Sequence, residues 1–129
     1  MCGIAGFCRL DGKHVSGRGE LADAIACLGH RGPDDDGLWV SDGVGLGHRR
    51  LSILDVSTGG HQPMESASGR FVMVFNGEVY NFRDIHHDLE VRGRRFHSSG
   101  DTEVILAAFE EWGVEAAVRQ FIGMFAIAL

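Results

Sequence analysis

Long apolar stretches are absent from this sequence: none approaches the length needed to cross a bilayer. The first residues also lack the basic segment and the long hydrophobic segment of a secretory signal. We therefore expect a cytoplasmic protein with no membrane partner. Basic residues are outnumbered, with 12 lysines and arginines against 18 acidic residues, and they form no long runs. The resulting formal net charge of -6 disfavours a nucleic-acid partner.

Cysteine is scarce as well. The 3 cysteines are odd in number and form no C-x-x-C pair, which argues against a disulfide framework or a zinc ribbon. At least one thiol is left free for chemistry. The 7 histidines are scattered, and the adjacent His86 and His87 would point to different sides of a helix. The acidic run at residues 34–36 follows Pro33, where short acidic side chains favour a loop over a magnesium site. We expect no metal site.

The chain does have enough apolar surface for a folded core. Of its 129 residues, 44% are hydrophobic and 23% charged, which is typical of one soluble domain, and no repeat or low-complexity linker divides it. Hydrophobic periodicity and turn residues predict the secondary structure. Strands are expected at residues 2–8, 37–41, 44–48, 71–75 and 124–129, with a further short strand-like run at 51–56. Asp42-Gly43 would form the hairpin between the strands at 37–41 and 44–48. Helices are expected at 19–28, at 81–92 with Asn81 as its cap, from Asp101 to a stop at Gly113, and at 114–121.

Cys2 is the first candidate catalytic residue. Because methionine is normally removed when the second residue is small, Cys2 would carry a free α-amine. The pKa values of a thiol, about 8.5, and of an α-amine, about 7.7–8.0, are close enough for proton exchange near neutral pH. Nucleophile and base would then share one residue. The alternative is a cysteine that serves only as a small buried hydrophobe.

Asn76 and Gly77 follow directly after the predicted strand at residues 71–75. At a strand end, a side-chain amide and a flexible backbone N–H can point at one oxygen, as an oxyanion hole requires. Losing one such donor costs about 3–4 kcal/mol of transition-state stabilisation. The alternative is a hairpin turn, for which Asn-Gly is a common dipeptide.

Arg50 and Asp101 suit the two charges of an amino-acid substrate. A guanidinium binds a carboxylate through two parallel hydrogen bonds, and a carboxylate binds an ammonium group. Each residue also has an ordinary alternative. Arg50 would otherwise be a surface cation, and Asp101 a helix cap.

Together these residues resemble the class II (N-terminal nucleophile) glutamine amidotransferases, and specifically the glutaminase domain of the asparagine synthetase type. The similarity covers the whole chain and is carried by seven motifs in order. They are Met1-Cys2-Gly3-Ile4, His30-Arg31-Gly32-Pro33-Asp34, His48-Arg49-Arg50-Leu51-Ser52-Ile53-Leu54-Asp55, Gln62-Pro63-Met64, Phe75-Asn76-Gly77-Glu78-Val79-Tyr80-Asn81, Gly100-Asp101-Thr102-Glu103-Val104-Ile105-Leu106 and Gly123-Met124-Phe125-Ala126.

The resemblance implies roles for individual residues. Cys2 would be the nucleophile that forms a γ-glutamyl thioester, and Asn76 and Gly77 would form the oxyanion hole.

Four further residues would bind the substrate glutamine. Arg50 would hold its α-carboxylate, and Asp101 with Glu78 its α-ammonium. Backbone groups around Ile53 would complete the pocket.

The resemblance also implies an α+β fold, the four-layer αββα sandwich of the N-terminal nucleophile hydrolases, with the strand at residues 2–8 central in its sheet. Because residues 124–129 form an apolar strand that would need a partner, we expect the fold to be truncated at its C-terminal end. Residues 1–129 would be the N-terminal portion of the glutaminase domain. The remainder would include a synthetase domain that accepts ammonia and uses ATP and magnesium, whereas residues 1–129 would hold no cofactor. A homodimer is a further expectation.

Two other functions are compatible with the sequence. A non-catalytic glutamine-binding module could keep the same fold, but such a protein would be expected to lose the nucleophile, and Cys2 is present. An amidotransferase could instead deliver ammonia to a sugar or a cell-surface precursor. The acceptor would belong to the synthetase domain, so residues 1–129 do not distinguish it from aspartate.

Overall fold

The computed structural model describes residues 1–10, 17–53 and 58–129. The described residues form six strands, four α-helices and a short 3-10 turn at Thr58–Gly60. The strands are β1 (Gly3–Cys8), β2 (Asp35–Ser41), β3 (Val44–Arg50), β4 (Met64–Glu65), β5 (Val72–Val79) and β6 (Gly123–Ala128), and the helices are α1 (Arg18–Cys27), α2 (Phe82–Val91), α3 (Asp101–Trp112) and α4 (Val114–Val118).

The strands form two antiparallel sheets, in the orders β1-β3-β2 and β4-β5-β6. The hairpin between β2 and β3 turns at Asp42 and Gly43, which both have positive φ angles of 46° and 80°, so the predicted hairpin is confirmed. The two sheets contact each other through β1, β3 and β5. Helix α1 packs on the first sheet, and α3 packs on the second with α2 and α4 against it. The architecture is a mixed helix and sheet sandwich.

The main core lies between β5 and the helices α2 and α3. Phe109 of α3 is fully buried, with its ring centroid 6.4 Å from that of Phe71 and 5.9 Å from that of Phe121. Ile85 and Leu89, four residues apart on α2, pack into the same cluster. Burial of this apolar surface is the dominant stabilising contribution, and it fixes β5 against α3.

A polar network fastens the β4–β5 turn to α3. The Glu110 carboxylate, whose side chain is 6% exposed, accepts hydrogen bonds from the backbone N–H (3.0 Å) and the hydroxyl of Ser68. Arg94 adds an ion pair of 2.9 Å to the same carboxylate. The Ser68 hydroxyl, followed by Ser66, the Ser68 N–H and Arg94, lowers the pKa of Glu110 to about 2.

We expect Glu110→Gln to lower the free energy of unfolding at pH 7 by about 2 kcal/mol, because hydrogen bonds to a charged group are lost. The folded-state pKa is depressed, so this stabilisation is present above the ordinary glutamate pKa of 4.5 and is lost as the pH falls toward about 2. Urea unfolding measured across this pH range tests the prediction. The matched control is Glu115→Gln, whose exposed pair with Arg119 should contribute less than about 1 kcal/mol. Equal effects of the two substitutions would contradict the prediction.

Four predictions about strands are wrong or lie outside the described residues. β1 lies at an edge among the described strands rather than in the centre, because β3 pairs with both β1 and β2. Asp35 and Asp36 do not lie in a loop: they begin β2, paired with Arg50 and Arg49 of β3. The run predicted at residues 51–56 is not a strand over 51–53, and residues 54–56 lie outside the described part of the chain. β5 does not end at residue 75 but continues to Val79, because β6 pairs with it along this length.

Two predicted helix caps also differ from the structure. Asn81 is at the N-cap of α2, as expected, but its side chain bonds Gln120 O and Ile122 N, each at 2.9 Å, and so fastens the loop before β6. Gly100, not Asp101, is at the N-cap of α3. Asp101 is the first helical residue, which leaves its carboxylate facing β5.

Candidate active site

A cavity of about 450 Å³ opens where the ends of β3 and β5 meet the start of α3. Its lining includes all seven residues that the sequence singled out. They are Cys2, Arg50, Ile53, Asn76, Gly77, Glu78 and Asp101.

The Cys2 thiol is held against the chain that leaves β3. Its Sγ accepts a hydrogen bond from Leu51 N at 3.3 Å and lies 3.6 Å from Leu51 O. The carbonyl of Cys2 accepts a hydrogen bond from Arg31 Nε at 3.1 Å. Cys2 is therefore held through its side chain and through its carbonyl, and it remains half-buried at the cavity.

The segment at residues 30–34 supports the same corner. Gly32 packs so closely on the backbone of β3 that a Cβ would overlap the carbonyl of Arg49. Asp34 N donates to Arg50 O at 3.0 Å, and the Asp34 carboxylate accepts from Ser52 N at 2.7 Å. The sequence shows this segment only as a shared motif. The structure shows that it orders the backbone around Arg50 and Leu51.

Arg49 and Arg50 point in opposite directions, as neighbours on a strand do. Arg49 forms an ion pair with Asp36 at 2.9 Å, away from the cavity. Arg50 lines the cavity, is 7% exposed, and its guanidinium lies against Gly60, where a Cβ would overlap it. Of these two arginines, Arg50 is therefore the one that lines the cavity.

One edge of β5 faces the cavity with its backbone groups. Phe75 N donates to Gln62 Oε1 at 2.6 Å, and Val79 N donates to Asp101 Oδ2 at 3.1 Å. Residues two apart on an antiparallel strand present their N–H groups to the same edge. The N–H of Gly77, midway between these two, therefore points to that edge, where Gly77 lines the cavity.

The interpretation of Asn76-Gly77 as a hairpin turn is wrong, because both residues lie inside β5 opposite Ala126 and Phe125 of β6. Gly77 has a φ of 152° and lies so close to β6 that a Cβ would overlap the backbone of Met124 and Phe125. Glycine is therefore required here by a close approach of two strands.

Asp101 is a buried carboxylate, 5% exposed, at the opposite wall. Burial raises its pKa, and the neighbouring Glu78 carboxylate raises it further. Hydrogen bonds from the N–H groups of Val79, Asp101 and Thr102 oppose this shift. A cation bound between Asp101 and Glu78 would relieve the cost of the buried charge.

His48 and Gln62 are two polar residues at the site that were not predicted to contribute. His48 is fully buried, and its Nε2 lies 3.1 Å from Phe75 O. Burial lowers the pKa of His48 to about 4, with smaller contributions from Arg50 and His61, while the Phe75 bond and Asp35 oppose the shift. The ring is therefore neutral at pH 7 and donates to Phe75 O. Both residues lie in motifs of the sequence, Gln62 in Gln62-Pro63-Met64 and His48 at the start of the run that includes Arg50, but neither motif indicates a contact with Phe75.

Over residues 1–10, 17–53 and 58–129, no group of three or more histidine, cysteine, aspartate or glutamate side chains is placed to hold a metal ion. In the same ranges, no helix has both the length and the apolar character of a membrane span.

The sequence matches the glutamine amidotransferase domain family over residues 1–129. It is 39% identical over 131 residues to asparagine synthetase [glutamine-hydrolyzing] 1 of Bacillus subtilis (strain 168), covering 100% of this chain and 20% of that protein. It is 39% identical over 144 residues to a putative asparagine synthetase [glutamine-hydrolyzing] of Mycobacterium tuberculosis (strain ATCC 25618 / H37Rv), covering 100% of this chain and 22% of that protein. For asparagine synthetase B [glutamine-hydrolyzing] of Escherichia coli (strain K12), the identity is 37% over 129 residues, covering 100% of this chain and 23% of that protein. The chain thus spans about a fifth of the length of these relatives. Since the match extends over every residue, the chain belongs to the family of glutamine amidotransferase domains.

Proposed function

We propose that this domain hydrolyses glutamine to glutamate and ammonia through a γ-glutamyl thioester on Cys2. The observation that carries the proposal is the meeting of a thiol, a guanidinium, a buried carboxylate and an open strand edge around one cavity. In this proposal residues 1–129 are the N-terminal portion of a glutaminase domain with the four-layer αββα fold of the N-terminal nucleophile hydrolases. The two facing antiparallel sheets with helices on them support that assignment.

Glutamine binds through its two main-chain charges. Arg50 holds the α-carboxylate through its guanidinium fork, and Asp101 with Glu78 holds the α-ammonium. Backbone groups near Ile53 close the remaining side. This orientation directs the side-chain amide toward Cys2 and the edge of β5.

The chemistry starts once Met1 is removed and the α-amine of Cys2 is free. The amine takes the thiol proton, and the thiolate attacks the amide carbon. Asn76, through its side-chain amide, and Gly77, through its backbone N–H, stabilise the oxyanion. The C–N bond then breaks, ammonia leaves with the proton held by the amine, and the thioester remains. Water, deprotonated by the same amine, attacks the thioester, which releases glutamate and restores the thiol.

The ammonia passes to an amide-forming part of the same protein. The relatives are named as glutamine-hydrolysing asparagine synthetases, which favours an ATP-dependent synthetase domain that uses magnesium and aspartate. A sugar or a cell-surface precursor is the alternative acceptor of the ammonia. We also propose that the full-length protein forms a homodimer.

The test is to supply the full-length protein with glutamine and to measure ammonia, glutamate and the mass of the N-terminal peptide. We expect ammonia and glutamate in equal amounts, an N-terminus that has lost Met1, and a glutamyl adduct on Cys2 after acid quenching. A folded protein with free Cys2 that releases no ammonia, even with ATP and aspartate present, would favour the non-catalytic glutamine-binding module.

Asp101→Asn should raise the KM for glutamine about 100-fold, because a desolvated charge pair with the ammonium is lost. The same substitution should raise the melting temperature of the unliganded protein. Burial raises the pKa of Asp101 in the folded state, so the ionised carboxylate disfavours folding at any pH above its unfolded pKa. For the same reason, wild-type affinity for glutamine should weaken as the pH falls through that raised pKa. Steady-state kinetics at several pH values and thermal unfolding check these three expectations. The matched control is Glu78→Gln, an exposed carboxylate, for which a smaller rise in KM is expected; an unchanged KM for Asp101→Asn would remove Asp101 as the ammonium ligand.

A further inference from the structure

Gln62 and His48 are buried polar side chains that take no part in the proposed reaction steps. Gln62 is 5% exposed and His48 0%. Both bind the same backbone unit: Phe75 N donates to Gln62 Oε1 at 2.6 Å, and His48 Nε2 lies 3.1 Å from Phe75 O. Two side chains from different parts of the chain therefore hold both polar groups of one residue, the one immediately before Asn76.

We propose that Gln62 and His48 are positioning residues for glutamine hydrolysis, which together hold the Phe75 backbone so that the Asn76 amide and the Gly77 N–H are directed at the cavity. This inference rests on the proposed function. We call the pair the Phe75 brace.

The need for the brace follows from the shortness of β4. This strand pairs with β5 only through Met64↔Met73 and Glu65↔Val72. In the same register, residue 62 would stand opposite Phe75, but β4 begins only at Met64, so the Gln62 backbone does not extend the ladder. Gln62 supplies with its side chain the acceptor that a longer strand would supply with its backbone, and His48 supplies the donor from the other sheet.

The brace also joins the parts of the cavity to one another. His48 lies two residues before Arg50 on β3, so the bond to Phe75 fixes the distance between the carboxylate site and β5. Gln62 Nε2 lies 3.4 Å from the hydroxyl of Thr102, the residue after Asp101 on α3. The two bonds to Phe75, together with the Gln62–Thr102 contact, thus connect the guanidinium, the oxyanion donors and the ammonium site.

Burying the His48 side chain costs free energy, which supports a specific role for it. Its Nδ1 is buried and has no hydrogen-bond partner among the described residues, so the ring loses one hydrogen bond on folding. A leucine would avoid this cost but could not donate to Phe75 O. The bond from Nε2 to Phe75 O is therefore the contact that accounts for an imidazole at this buried position.

The experiment compares apolar and conservative variants of the full-length protein. Gln62→Met and His48→Leu remove the bonds to Phe75, whereas Gln62→Glu keeps an acceptor and His48→Gln keeps a donor near the position of Nε2. The matched control is Ser66→Ala: Ser66 is 6% exposed and its hydroxyl accepts from Phe71 N at 3.1 Å, the same kind of bond just before β5. Kinetic constants, melting temperatures and the affinities for glutamate and for glutamate γ-semialdehyde are measured. The aldehyde adds to the thiol and mimics the tetrahedral oxyanion, whereas glutamate reports ground-state binding.

We expect Gln62→Met and His48→Leu to lower kcat about 10- to 100-fold with KM changed less than about threefold, because misplacement by a fraction of an ångström affects mainly the transition state. Affinity for the aldehyde should fall by the same factor and affinity for glutamate should not. The conservative variants should recover most of kcat, and Ser66→Ala should lower the melting temperature without changing kcat. If Gln62→Met does not fold, Gln62→Asn, whose amide is too short to reach Phe75 N, should lower kcat at least about fivefold.

Two outcomes would overturn the inference. If the variants lower only the melting temperature, as Ser66→Ala does, the brace is structural and the proposed function is unaffected. If wild type itself releases no ammonia, the proposed function fails and the brace fails with it as part of a catalytic site.

Discussion

Cys2→Ala should abolish the release of ammonia from glutamine by the full-length protein, lowering kcat by at least about 10⁴-fold, because the covalent route is lost with its nucleophile. The methyl group of alanine fits where the thiol lies against Leu51, and Arg31 still binds the Cys2 carbonyl. Folding should therefore be nearly unchanged. Affinity for glutamine should be kept, since the proposed ligands Arg50 and Asp101 are unchanged, and isothermal titration calorimetry on the inactive variant measures it directly.

The chain offers its own controls for this substitution. Cys8 and Cys27 are free and exposed, and neither lines the cavity. Cys8→Ala and Cys27→Ala should leave kcat within about twofold of wild type, as surface substitutions away from a site do. A thiol-specific reagent should inactivate wild type and both controls at the same rate, and glutamine should slow this inactivation. Residual turnover in Cys2→Ala comparable to wild type would exclude the thioester route.

Gly77→Ala should damage both stability and activity. The new Cβ would overlap the backbone of Met124 and Phe125, and a φ of 152° is unfavourable for alanine. The strain and the forced separation of β5 from β6 should lower the free energy of unfolding by about 2–5 kcal/mol. Because the Gly77 N–H moves with the strand, kcat should fall at least about 100-fold. Urea unfolding and ammonia release, measured at a temperature where the variant is folded, test the two parts separately.

Gly93→Ala separates backbone strain from steric overlap. Gly93 also has a positive φ, 91°, but a Cβ there would meet nothing within 4 Å. This substitution should cost about 1–2 kcal/mol through strain alone and leave kcat unchanged. If Gly77→Ala behaves like Gly93→Ala, the close approach of β6 is not what requires glycine at position 77.

The parts of the fold that depend on local pattern were predictable. Val104, Ile105, Ala108 and Phe109 recur at helical spacing, and all four are buried on α3. Asp42-Gly43 has the composition of a tight hairpin and forms one. Charge complementarity with an amino acid, together with the family resemblance, singled out seven residues that line one cavity.

The parts that depend on distant pairing were not predictable. Asn76-Gly77 has the local composition of a turn, and only pairing with β6, about 50 residues further along, keeps it in a strand. Among the described strands, the edge position of β1 follows from which strands β3 pairs with, and hydrophobic pattern does not encode that choice. Gln62 and His48 reach Phe75 across 13 and 27 residues of sequence, so neither bond has a local signature.

Because β4 is only two residues long, the cavity occupies the space in which a longer β4 would pair with β5. Extended in its own register, β4 would place residue 60 opposite Gly77, but the chain turns away at Thr58–Gly60 and leaves that edge open. Most sheets protect such an edge, since exposed backbone donors invite strand addition. Here Gln62 and Asp101 already accept from the Phe75 and Val79 N–H groups on either side of Gly77. A short extended peptide that adds to this edge would take the Gly77 N–H and fill the space of the substrate. Strand addition and glutamine binding would thus be mutually exclusive, which makes the edge of β5 a target for competitive peptide-like inhibitors.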